Sequence, residues 1–133
     1  MKSVIATSAA LVSALLLSAC ASQPMSGQLQ HQWALVSVDG VAVATNIKSE
    51  LTIDDALKVS GRAGCNRFFG AASVTGDQLV ADKLGVTMMA CAPAVQKVEV
   101  AVLETLKKAS FNVQGQTLEL KGAKHTLVYQ QAK

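Results

Sequence analysis

Three cysteines and two histidines are the side chains of this 133-residue sequence with the chemistry of a nucleophile, a base or a soft metal ligand. Cys65 lies within GRAGCNRFFG (Gly61 to Gly70), Cys91 ends TMMAC, and Cys20 ends LLLSAC. A thiolate on a glycine-rich turn or just ahead of a helix, with His31 or His125 as base, would make a covalent catalyst. Two thiolates and two imidazoles would make a zinc donor set, but no C-x-x-C or H-x-x-x-H spacing occurs. Two thiols outside the cytoplasm would instead pair with each other. His31 stands near an N-terminal polar stretch and His125 opens the last strand, both common places for exposed hydrogen-bonding residues. No carboxylate has a spacing that marks it as the orienting partner of either. Asp54 and Asp55 fall in a turn pattern, where aspartate is ordinary.

The N-terminus decides between these chemistries. Lys2 precedes an uncharged run to Leu17, then Ser18, Ala19 and Cys20. A short positive start and an apolar stretch below the roughly 20 residues of a membrane span read as an export signal over residues 1–19. LSAC resembles a lipobox, with Cys20 as the lipidated first residue of the exported protein. Such a modification carries enough acyl chain for stable anchoring. Ala21 and Ser22 follow it, with no aspartate to hold the protein at an inner membrane, so the periplasmic face of the outer membrane is the expected site. ASQPMSGQ, residues 21–28, reads as a flexible tether. With Cys20 committed to lipid, Cys65 and Cys91 remain as an even pair in an oxidising compartment, and a disulfide between them is expected. It would close a loop of about 27 residues and stabilise the domain by roughly 3–4 kcal/mol.

Loss of residues 1–19 leaves enough chain for one domain, residues 29–133, and eleven basic residues against nine acidic ones. Lys107 and Lys108 are the one adjacent basic pair, so nothing tracks a phosphate backbone, and no nucleic-acid partner is expected.

The elements that must position the cysteines follow from periodicity. QHQWALVSVDG reads as a strand with Trp33, Leu35 and Ser37 on one face and Ala34, Val36 and Val38 on the other, turning at Asp39-Gly40. ELTI and LKVSG flank a second reversal, RFFGAASV and QLVADKLGVT flank Thr75-Gly76-Asp77, and the pattern to that point is a meander. Val95, Val98, Val102 and Leu106 then take helical spacing over residues 93–109, with Val100 and Leu103 widening the apolar face and Pro93 in the first turn. SFNVQG, QTLELKG and KHTLVYQ are three closing strands. About eight strands and one helix make an α+β domain: a strongly curved, mostly antiparallel sheet or incomplete barrel covered by the helix.

GCNRFFG, then TMMAC, then a helix and the terminal AKHTL resemble the META domain family, heat-shock lipoprotein type, over nearly the whole exported chain. The family commonly has arginine directly after the threonine of the second motif, where this chain has Met88, so a role for that charge does not carry over. The resemblance implies an anchored, non-enzymatic protein without cofactor or metal, tied to heat and to novobiocin-type antibiotic stress, that binds an envelope protein or a lipid. A monomer is expected. The alternative is a tethered enzyme or inhibitor using a Cys/His site.

The surface that would serve binding comprises Asn66, Arg67, Phe68, Phe69, Met88 and Met89. Asn66 either satisfies buried backbone groups beside the disulfide, with Arg67 solvated, or forms a recognition site with it. One of Phe68 and Phe69 is expected inward, because neighbours in a strand alternate. One of Met88 and Met89 is expected in the core, unless both line an adaptable groove.

Overall fold

The computed structural model describes residues 25–133; the signal over residues 1–19 and the lipidation site Cys20 lie outside them. The described chain opens with one 3-10 turn, Met25–Leu29, in the stretch read as tether. Leu29 is fully buried and its carbonyl accepts from Trp33 Nε1 at 2.9 Å, so the ordered domain starts ahead of residue 29.

Eleven strands follow where about eight were expected. They are β1 (Gln32–Val38), β2 (Val41–Ala42), β3 (Glu50–Ile53), β4 (Lys58–Arg62), β5 (Arg67–Ala71), β6 (Ser73–Thr75), β7 (Gln78–Val80), β8 (Gly85–Val86), β9 (Ala109–Gln114), β10 (Thr117–Lys121) and β11 (Thr126–Gln131), with helix α1 (Pro93–Lys107) between β8 and β9. The excess comes from two-residue strands and from a break at Ala72 that splits RFFGAASV into β5 and β6.

The sheet order is β6-β7-β9-β10-β11-β1-β3-β4-β5-β8, with β2 beside β1, so the meander holds for the hairpins but not for the whole. The first long strand sits mid-sheet between β11 and β3. Curvature follows from this order. β6 and β5 are eight strand spacings apart in the ladder, about 38 Å if flat, yet one residue of about 3.5 Å joins them. The sheet therefore curls into an antiparallel half-barrel, and the β5–β6 segment crosses its gap. Ala72 N donates to Leu57 O at the crossing, 2.8 Å.

The Asp39-Gly40 turn has positive φ at both residues, 51° and 79°, the conformation that joins two strands tightly. Within β1 the register slips between Leu35 and Ser37. That bulge exposes Val36 and turns Val38 toward the core beside Leu35, which reverses the expected facing of Ser37 and Val38. Trp33, Tyr129, Phe68, Leu51, Leu118 and Leu127 fill the concave side, and α1 closes it with Ala101, Val102 and Leu106. Pro93 occupies the helix start and Ala92 supplies no side-chain cap. Val100, read as widening the apolar face, is 45% exposed. Gly61 is required: a Cβ there would stand 2.0 Å from the carbonyl oxygen of Glu50.

Tyr129 is fully buried, and its hydroxyl meets no hydrogen-bond partner among the described residues. Burial pushes its pKa well above the ordinary value near 10. The folded state then keeps the proton while the unfolded chain loses it, so the titration of this residue costs no stability below pH 10. Above pH 10 it lowers stability by up to about 1.4 kcal/mol per pH unit. Tyr129→Phe is expected to match the wild type or exceed it by about 1 kcal/mol at neutral pH, and to lose less stability between pH 10 and 11.5. Denaturant titrations at both pH values check this; equal alkaline slopes would count against it.

Candidate functional site

The loop between β4 and β5 and the segment after β8 are joined by a disulfide, Cys65–Cys91, S–S 2.06 Å. A buried polar cluster surrounds it. Glu99 of α1, 7% exposed, accepts through Oε1 from the backbone N–H groups of Asn66 at 2.5 Å and Cys65 at 3.2 Å, and through Oε2 from Asn66 Nδ2 at 2.9 Å. Asn66 Nδ2 also donates to the Met89 carbonyl at 3.1 Å, while Asn66 Oδ1 accepts from Met89 N–H at 2.6 Å and Thr87 Oγ1 at 3.0 Å. Thr87 Oγ1 in turn accepts from Arg67 N–H, 2.9 Å. Gly64 lets this loop approach the helix, since a Cβ there would lie 2.9 Å from the Val95 carbonyl oxygen.

The surface residues read from the sequence separate accordingly. Asn66 and Phe68 are buried, 5% and 1% exposed, and both are internal. Arg67, Phe69, Met88 and Met89 face solvent, Met88 almost completely, so neither methionine enters the core. Asn66 takes the backbone-satisfying role, and Phe68 and Phe69 alternate as expected. Arg67 and Phe69 line a groove of about 560 Å³ on the outer sheet face with Lys48, Glu50, Ser60 and Arg62. Met88 and Met89 lie outside that groove.

Comparison with known proteins bears on this arrangement. Residues 27–133 match the family model for the META domain. The chain belongs to the META domain family. It is 34% identical over 109 residues to heat shock protein HslJ of Escherichia coli strain K12, covering 79% of this chain and 77% of the relative. Two structures solved by NMR superpose on it. One has a TM-score of 0.72 at 32% identity, covering 82% of this chain and 96% of the other. The second, from Burkholderia xenovorans, has a TM-score of 0.65 at 26% identity, covering 81% and 86%.

In this META domain the Cys/His chemistry does not assemble. Both sulfurs of Cys65 and Cys91 are spent in the disulfide. His31 stacks edge-on with Trp33 at 5.6 Å and pairs with Gln131, while His125 stands at the far end of β1. His125 does have the carboxylate that sequence spacing concealed: its Nδ1 lies 2.7 Å from Asp39 Oδ2, 86 residues away. The Asp39 carboxyl is held below its usual pKa, first by that bond and next by the Thr126 N–H. Among the described residues no group of three or more His, Cys, Asp and Glu side chains fits a metal ion, and no helix is long and apolar enough to cross a membrane.

Glu99 is the site residue that sequence reading missed. The signal was available: it sits four residues after Val95 and three before Val102, an acidic side chain in the middle of the apolar stripe.

Cys65→Ser and Cys91→Ser are each expected to lower stability by about 2–5 kcal/mol and to leave the other thiol open to labelling. Glu99→Gln puts an N–H group against donors that need an acceptor, and about 2–3 kcal/mol should be lost. Chemical denaturation checks both; unchanged melting in the cysteine variants, or in Glu99→Gln, would refute the corresponding role.

Proposed function

We propose that this META-domain chain is a lipid-anchored, non-enzymatic binding module at the periplasmic face of the outer membrane, supporting tolerance of heat and novobiocin-type antibiotics by holding a partner protein or a lipid. The observation that carries it is the rigid display of Arg67 and Phe69 on the outer face beside the Cys65–Cys91 disulfide. A 62% exposed phenylalanine on a disulfide-braced strand is an unusual use of apolar area unless something covers it. The export signal and the Cys20 motif support the location, and the heat-shock name of the Escherichia coli relative supports the stress role. A disulfide that consumes both thiols of the domain speaks against the Cys/His enzyme.

Deleting the gene is expected to sensitise the host to heat and to novobiocin, and wild-type protein should restore both. Cys20→Ser should leave the protein out of the salt-washed membrane fraction and restore neither. Growth curves and cell fractionation decide it. A Cys20→Ser protein that stays membrane-bound through a high-salt wash would sink the anchor, and a deletion without a phenotype would sink the stress role.

A further inference from the structure

The outer face of β3, β4 and β5 carries an arrangement that packing does not explain. Strand pairing sets Glu50 opposite Arg62 and Arg62 opposite Arg67 in one row. Like charges directly opposed across strands are destabilising. Neither guanidinium lies within ion-pair distance of a carboxylate of the described residues, even with Glu50 at the end of the row. Lys48, exposed at the rim, adds a third cation. The next row sets Ser60 opposite Phe69 and Phe69 opposite Gly85. A Cβ on Gly85 would stand 2.6 Å from the Phe69 ring, so the ring lies over that glycine, a place only a glycine leaves open, while its outer face stays in solvent. Two guanidinium forks, a lysine, two hydroxyls from Thr52 and Ser60 and an apolar ring thus share one shallow groove with a single carboxylate, Glu50, so cations outnumber anions three to one.

From this geometry we infer that the groove binds the phosphate of an anionic phospholipid at a bilayer surface, with Arg62 and Arg67 on the phosphate oxygens and Phe69 entering the interfacial layer. This deepens the proposed function and rests on its placement of the domain beside a membrane. Guanidinium forks match tetrahedral oxyanions bidentately. Free phosphate would leave Phe69 without a role. An acidic peptide would find no backbone partners here, because β4 is hydrogen-bonded on both sides by β3 and β5 and the groove presents side chains alone.

Residues 25–133 hold the eleven strands, the helix and the core described above, so that fragment serves the test without the signal or Cys20. It should cosediment with vesicles of phosphatidylglycerol mixed into phosphatidylcholine, and not with phosphatidylcholine alone. Arg62→Gln with Arg67→Gln should weaken that binding roughly thirtyfold, and Phe69→Ser should weaken it severalfold, with melting curves confirming folded variants. Lys107→Gln with Lys108→Gln, the same charge change elsewhere, should cost less than about threefold.

Equal loss in the lysine pair, or no vesicle binding, overturns the inference. So does competition by inorganic phosphate with Phe69→Ser unaffected, which would mark a free-phosphate site, or displacement by polyglutamate at equal charge, which would mark an acidic-peptide site. Because the fragment lacks Cys20, its failure to bind vesicles leaves the anchoring proposal standing, and failure of anchoring leaves this result intact.

Discussion

One carboxylate organises this domain. Glu99 is removed from water and accepts from three N–H groups of the Cys65–Asn66 loop, and a buried charge left without such partners would cost several kcal/mol. The helix and the β4–β5 loop are therefore committed to one relative position. The disulfide constrains the same loop from its other side, against the segment entering the helix. These constraints differ in kind. The covalent bond limits the unfolded ensemble, whereas Glu99 specifies where the native loop must lie against α1.

What the cluster fixes is the start of β5. Asn66 is its last buried member, and Arg67 is the first residue of the strand, with its N–H bonded to Thr87 Oγ1 and its carbonyl to Thr87 N–H. From that origin the two-residue period of a strand does the rest: Phe68 turns into the core opposite Gly61, and Phe69 turns out over Gly85. A slip of one residue would exchange the two rings and bury Arg67. The side chains on the outer face thus owe their positions to a buried network that none of them touches except through Thr87.

Much of this was legible in the sequence, and what was not has physical reasons. The Cys65–Cys91 pairing followed from compartment and parity, and α1 from its stripe of Val95, Val98, Val102 and Leu106. The curved antiparallel sheet with one helix followed from turn chemistry and alternation. The slip after Leu35 was not readable, because a bulge adds a residue without changing the residue types around it. The sheet order was not readable either, since β1 between β11 and β3 is a pairing of distant segments that local patterns do not encode. Glu99 stood out only as an acidic residue in the apolar stripe, and its role stayed hidden because its partners are backbone N–H groups 33 and 34 residues away. Asp39 and His125 were hidden likewise, on turns at opposite ends of the chain that β1 and β11 bring together.

The same separation of buried frame and exposed face accounts for the departure at residue 88. Thr87 is held by Arg67 and Asn66, and Met89 by Asn66 through both its N–H and its carbonyl, but the Met88 side chain between them is 92% exposed. The frame therefore needs the threonine hydroxyl and the backbone at 89 and is indifferent to the side chain at 88. Arginine and methionine are both compatible with the disulfide, the Glu99 cluster and the register of β8. A change there alters the charge carried on this exposed segment without altering the fold that presents it. The cationic character of this side of the molecule consequently rests on Lys48, just ahead of β3, and on Arg62 and Arg67, which the pairing of β4 with β5 sets opposite each other.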